Sequence, residues 1–457
     1  MKRLGAAFAV GLMAIALVAT ACGRSDSSGG SSSTTADANA KCKNVTLEST
    51  DIGITADTIT VQVMADVGSP LAPGLFQGNI DAVQAWAKYV NDNGGIACRQ
   101  VKVSVWDSKM DPAEAKNGLI NGCKTALALV GDNALFNPDS TTIGNCADKA
   151  GQPIGLPNFV GLANDTNESC QANTWNVQSV AELCKVSTGV RDFQTQAGMY
   201  KWFAKNLAPD KEFYLIPGDL PTTVQSAMYI IAAQKAAGID VVDAMKVSGR
   251  AEQAAFTPIL QAAKAAGATT IYNGSNSGVM VKIMQEAKAQ GVLANYKWVG
   301  SLSIYDKTFT SLDPSLTNGT YAGLSQLPWT EVDKSPGLAA YVKYIGGAEK
   351  ADALGANGFM AGIAFQETVK SIVDAGGPNA VNRASIVKAM QTTKSDFGGW
   401  IGQAKGGKDV MPCWMIVQIQ NGKWNRVYPT EAGKLDCATD SRVVVTLDTQ
   451  AEAAKAR

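Results

Sequence analysis

Thr58 to Met64 reads Thr-Ile-Thr-Val-Gln-Val-Met, and the next patterned segment, Asn79 to Asn93, repeats its apolar residues at helical spacing before stopping at Gly94-Gly95. The first is β-branched and alternating, as a strand requires, and the second is an amphipathic helix with a glycine stop. A further strand follows from Val101 to Trp106. Asp111-Pro112 then opens a helix, with Asp at the cap and Pro in the first turn, and Ala126 to Val130 is an apolar strand ending at Gly131. Strands alternating with helices predict a parallel sheet covered by helices.

The same rhythm restarts after Arg191. Strands are expected at Phe213 to Ile216, Val241 to Val247, Thr269 to Tyr272 and Lys297 to Gly300, with helices at Thr222 to Ala237, Phe256 to Ala266 and Gly278 to Gly291. Two α/β units are therefore expected. Some 415 residues, roughly, follow the N-terminal leader and tether, more than a single core accommodates, which agrees with two domains. Ligands of such sheets bind at the carboxyl ends of the strands, so the loops there matter most.

The N-terminus predicts export. Met1-Lys2-Arg3 is basic, Leu4 to Val18 is apolar, and Ala19-Thr20-Ala21-Cys22 supplies small residues for a peptidase. At roughly fifteen residues the run is shorter than the ~20 of a membrane span. The site resembles a bacterial lipobox, in which Cys22 becomes the first mature residue and carries a diacylglycerol, although Ala19 stands where leucine is usual. Ordinary cleavage that leaves Cys22 lost or free is the alternative. Residues 1–21 are read as the signal peptide and 22–42 as a Ser/Gly-rich tether.

Nine cysteines and no histidine constrain the rest. Setting Cys22 aside leaves eight, an even number that reads as a disulfide framework in an exported chain, with the connectivity open. No C-x-x-C pair exists to hold a metal, and no cofactor is expected. The missing histidine removes the usual Ser-His-Asp and Cys-His arrangements. Gly274 to Gly278 is a nucleophile elbow only in outline, with Asn276 at the serine place, and Ser385 to Lys388 matches S-x-x-K within a helix pattern. Binding rather than catalysis is expected. Basic and acidic residues balance at 40 each, so no basic stripe suits nucleic acid.

The order of several motifs resembles the type I periplasmic binding proteins of the branched-chain amino acid group. They are Ile54-Thr55-Ala56-Asp57-Thr58-Ile59, Ala65-Asp66 through Leu71-Ala72-Pro73, Asn91 to Ile96, Asp107 through Asp111-Pro112, Val130-Gly131, Phe256 to Leu260, Ala263 to Ala268, Gln285 to Gly291, and Cys413 to Trp424 as a closing hairpin. The resemblance implies an α/β protein of two Rossmann-like lobes joined by three crossing strands, with a small-molecule ligand held between them. It implies lobe 1 from residues 43–190 and 307–408, and lobe 2 from 191–306 and 409–457. That division sets Cys413–Cys437 apart as a pair; within the implied topology Cys170–Cys184 closes a short loop worth about 3 kcal/mol, Cys42–Cys98 joins the segments leading into two adjacent strands, and Cys123–Cys146 joins consecutive helices. The expected partners are the ligand, the permease of an ATP-driven (ABC) importer and the membrane through the lipid anchor, on the extracellular or periplasmic side of the cell membrane. A monomer is expected. Ligand sensing for an envelope or membrane partner without transport is the alternative function.

Carried over residue by residue, the amino-acid clamp of that family is altered. Leu135 and Phe136 stand at the serine places after the third strand, Phe159 follows the fourth, and Val279 takes the place of the glutamate that pairs with the ligand ammonium. A buried ammonium without its carboxylate is disfavoured by several kcal/mol. With Tyr305 and Trp329 near the second crossing, these residues imply a larger apolar, aromatic or amide ligand, oriented by Asn137, Asn158, Asp219 and Ser275. Alternatively, Phe136, Phe159 and Val279 pack within the lobes. Asn357-Gly358 and Gly362 are read as close-packing glycine positions, and the Ala/Glu/Lys end after Leu447 is expected to fray.

Overall fold

The computed structural model describes residues 42–457, apart from 70–72, 136, 138–140, 163–165, 178–180, 183–188, 209–210, 403, 406, 409 and 412. Cys22, the signal peptide and the tether up to residue 41 lie outside the described residues.

The first lobe is built on β1 (Thr58–Ala65), α1 (Gln77–Asp92), β2 (Gln100–Asp107), α2 (Pro112–Thr125), β3 (Ala128–Asp132), β4 (Asn158–Val160) and β5 (Thr174–Asn176). Its sheet runs β2-β1-β3-β4-β5 with every neighbour parallel. Helices cover the sheet, as the alternation of strands and helices predicts. Gln62 is consequently buried, and it is satisfied by donating Nε2 to the Gly118 carbonyl at 2.8 Å while Oε1 accepts from Asn121 at 2.7 Å. Asp111 caps α2 through the Ala113 and Glu114 N–H groups.

The second sheet starts beyond β6 (Ala181–Glu182), β7 (Arg191–Gln196) and α3 (Gly198–Asn206). It contains β8 (Lys211–Pro217), β9 (Asp240–Val247), β10 (Thr270–Asn273), β11 (Lys297–Gly300) and β12 (Tyr321–Leu324), with α4 (Pro221–Ala236), α5 (Phe256–Ala265) and α6 (Ser277–Ala289) between strands. The chain then makes a 3-10 turn, Trp329–Lys334, and α7 (Pro336–Ile345), α8 (Ala356–Gly376) and α9 (Arg383–Met390), followed by the two-residue strands β13 (Lys394–Ser395) and β14 (Ala404–Lys405). It ends with β15 (Met415–Gln420), β16 (Lys423–Tyr428), β17 (Arg442–Leu447) and α10 (Thr449–Lys455).

Five parallel strands and the antiparallel β15-β16 hairpin give the order β16-β15-β12-β11-β10-β8-β9. The second sheet reaches further along the chain than the expected boundary at 306, because β12 pairs with β11 on one side and β15 on the other. A parallel neighbour needs a crossover of a dozen or more residues, and the segment between β11 and β12 supplies it with two short helices, Lys307–Ser311 and Pro314–Thr317.

Three crossings join the lobes, between β5 and β7, after β12, and before β15. The second and third touch, through an antiparallel bridge between Gln326 and Ile401 and a hydrogen bond from Leu327 N–H to the Trp400 carbonyl at 3.0 Å. The tail does not fray. β17 lies antiparallel on β7 over six register pairs, Asp448 caps α10, and Ala453 and Ala456 pack on the core that holds Val224 and Met228.

Cys42–Cys98, Cys123–Cys146 and Cys413–Cys437 are bonded, with Cα separations of 5.6, 5.4 and 4.1 Å. Cys170 is also in a disulfide, but Cys184 lies outside the described residues. The glycines of α8 permit its close approach to α1. A Cβ on Gly362 would stand 2.2 Å from the Trp86 ring, and one on Gly358 would stand 2.6 Å from Asn79 Oδ1.

Candidate functional site

The carboxyl ends of both sheets face one cavity of about 520 Å³. The first lobe lines it with Leu75 and Phe76 ahead of α1, Leu135 after β3, Leu162 after β4, and Leu354 and Asn357 at the start of α8. From the second lobe come Met199 and Tyr200 of α3, Tyr214 of β8, and Thr223, Ser226, Ala227, Tyr229 and Ile230 of α4. Gln196, Ser275, Asn276, Ser301, Ser303 and Ser325 add a polar edge. The lobes touch beside it, where the Thr222 hydroxyl donates to the Leu135 carbonyl at 3.2 Å.

The tyrosine wall is ordered by the sheet. Tyr214 and Tyr272 are register partners on β8 and β10, and their rings stack 5.1 Å apart at 17°. Tyr200 approaches Tyr272 at 6.4 Å. Burial raises the phenol pKa of Tyr200, Tyr214 and Tyr272, with the charge of Glu212 acting in the same direction. All three remain neutral hydroxyls over the physiological range.

Two of the residues anticipated at the site line the cavity. Asp219, after β8, stands exposed at its rim and accepts from the Ser248 hydroxyl at 2.6 Å and the Gly249 N–H at 2.7 Å. Ser275, after β10, donates its N–H to Asn273 Oδ1 at 3.1 Å.

The others that are described lie elsewhere. Asn137 and Asn158 are buried in the first lobe and donate to Glu168 Oε1 at 3.3 and 2.9 Å. Asn158 also reaches Asp132, whose carboxyl is pushed up to about 6 by burial, against hydrogen bonds that lower it. Phe159 packs edge-on to Phe365 at 5.5 Å, and Val279 lies in the second-lobe core. Tyr305 accepts the Trp329 N–H at 2.9 Å, and their rings lie 5.3 Å apart between the two cores. Phe136 lies outside the described residues.

The tyrosines were not anticipated, and neither was Phe76. Tyr214 and Tyr272 occupy corresponding places near the ends of two expected strands, which is the one signal the sequence held for them. Among the described residues no group of three or more His, Cys, Asp or Glu side chains could hold a metal ion, and no helix is long and apolar enough to cross a membrane.

Two α/β lobes, three crossings and a shared cavity define a protein that takes a small solute between its lobes. The chain belongs to the periplasmic binding protein family, whose model matches residues 58–423. Its type I fold is that of solute-binding proteins, which are not enzymes, and the family implies an extracytoplasmic location. No curated protein matches the chain by sequence. Among solved structures it is similar to a solute-binding protein of an ABC transporter from Rhodopseudomonas palustris BisB5 in complex with 3,4-dihydroxybenzoic acid, with TM-score 0.61, 16% identity, and coverage of 81% of this chain and 96% of that one. A fatty acid ABC transporter substrate-binding protein from Thermomonospora curvata gives 0.61 and 13%, covering 85% and 95%. A leucine-binding protein from Thermotoga maritima gives 0.60 and 14%, covering 81% and 97%. At these identities the likeness concerns the fold.

Proposed function

We propose that this chain is a lipid-anchored solute-binding component that captures a small molecule with an apolar body between its lobes and hands it to an ABC importer. The observation that carries the reading is the cavity of about 520 Å³, walled by tyrosine, leucine and methionine side chains. Pockets of roughly 300–1,000 Å³ suit small-molecule ligands up to drug size. Two similar structures, one in complex with 3,4-dihydroxybenzoic acid and one a fatty acid ABC transporter substrate-binding protein, support the apolar body of the ligand and not the nature of its end group. The lobe division that suits this reading is 43–190 with the chain after Leu324 as far as 408, and 191 to Leu324 with 409–457. Cys22 would carry the lipid, so a Cys22→Ser protein should lose labelling by a lipid precursor and leave the membrane fraction.

Binding to the folded form raises stability by mass action. A thermal-shift screen of the mature protein against aromatic, aliphatic and amino-acid ligands should give the largest rises with apolar bodies larger than leucine. A response to leucine or valine alone would refute the reading.

A further inference from the structure

Resting on the reading of the cleft as a solute site, we propose that its ligand is an uncharged amphiphile: an apolar body ended by a hydroxyl, carbonyl or amide group, with no carboxylate. Among the described residues of the first-lobe wall, three backbone N–H groups are already taken by internal acids. Leu135 and Met110, both lining the cavity, donate to the two oxygens of Asp66 at 2.8 and 2.6 Å, and Ala134 donates to Asp132 at 3.2 Å. Asp66 and Asp132 are buried directly behind that wall.

In the second lobe several donors are likewise committed, while the buried Gln196 Nε2 on the cavity wall has no partner among the described residues and offers a neutral donor. Ser303 donates its hydroxyl to the Ser275 carbonyl at 2.7 Å, Thr223 donates to the Pro217 and Leu220 carbonyls at 3.0 and 2.9 Å, and Asp219 occupies the Gly249 N–H. No lysine or arginine is among the described residues that line the cavity. An incoming carboxylate would lose its water and meet no cationic side chain among the described lining residues, which is strongly disfavoured. A cationic end fares no better, because Asp66 and Asp132 lie behind the wall with their oxygens engaged, and Asp219 is open to solvent at the rim. A neutral end needs only one or two hydrogen bonds. Tyr214, held neutral, is placed to supply one.

The test uses matched probe sets on naphthyl, cyclohexyl and decyl bodies, each as carboxylate, primary amide, alcohol and ammonium, titrated into the mature protein at pH 7.5 by thermal shift and calorimetry. Within whichever set binds, the amide or alcohol is expected to bind at least about tenfold tighter than the carboxylate and the ammonium. A carboxylate or ammonium that matches or exceeds its neutral partner overturns this inference and leaves the solute-binding reading standing. No response from any member of any set overturns both.

Discussion

Arg426 and Glu331 form a two-pronged ion pair, Nε to Oε1 and Nη2 to Oε2, both at 2.6 Å, with each side chain only 9% exposed. Arg426 lies on β16 of the second sheet. Glu331 lies in the 3-10 turn that follows the second crossing and leads into α7, whose Tyr344 packs on Tyr89 of α1. Gly433 N–H adds a hydrogen bond to Glu331 Oε2 at 2.7 Å, and Arg426 Nη1 donates to the Pro429 and Lys434 carbonyls. A buried pair contributes little against an apolar replacement, but removing one partner strands a buried charge and costs about 3–5 kcal/mol. Glu331→Ala should therefore destabilise by about 3 kcal/mol in urea unfolding. The double variant Glu331→Leu/Arg426→Met should recover most of that, and equal losses in both proteins would show that the pair is not the cause.

Gly362→Ala should destabilise the first lobe without touching the cleft. The added methyl would meet the fully buried Trp86 ring, whose position is fixed by Phe365 at 6.0 Å. Overpacking of this kind costs about 1–3 kcal/mol. Calorimetric melting should show the loss, while ligand affinity measured well below the melting range stays unchanged.

Glu367 on α8 gives stability a pH dependence. Burial pushes its carboxyl up to about 7, the charge of Asp396 adds to this, and a hydrogen bond with Ser395 opposes it. One of its oxygens is buried without a hydrogen-bond partner among the described residues. Below about pH 4.5 the group is neutral in both folded and unfolded chains, so it has no effect on stability. As pH rises from there to 7 the unfolded chain releases the proton first, and stability falls by on the order of 2 kcal/mol. Glu367→Gln should therefore stabilise the protein at pH 8 and be neutral near pH 4.5. Equal effects at both pH values would count against the mechanism.

The fold was legible where periodicity and capping agree, as in β1, α1 and the Asp111-Pro112 start of α2. β12 was not, because Tyr-Ala-Gly-Leu is short and carries no clear period; only its pairing with β11 and β15 identifies it. The loops that reach the cavity could be named from strand order, and Asp219 and Ser275 were found that way. Which way a side chain turns within such a loop could not. Phe159 and Val279, which looked like substitutions at a ligand clamp, point into the lobe cores, whereas Tyr214 reaches the cavity from a strand that reads as ordinary core. Pattern gives the position of a residue along an element, and packing from distant segments decides which of its faces is left open.

The most direct test of the cleft as the binding site is calorimetric titration of the strongest thermal-shift ligand into the wild-type protein and into Ser226→Trp. Ser226 projects from α4 into the cavity and is only partly buried, so an indole there fills the space without entering a core. The account predicts one-to-one binding to the wild type and at least about a hundredfold loss in the variant, equivalent to about 2.7 kcal/mol, with the melting temperature of the unliganded protein little changed. Undiminished affinity in a folded Ser226→Trp protein would place the ligand elsewhere and contradict it.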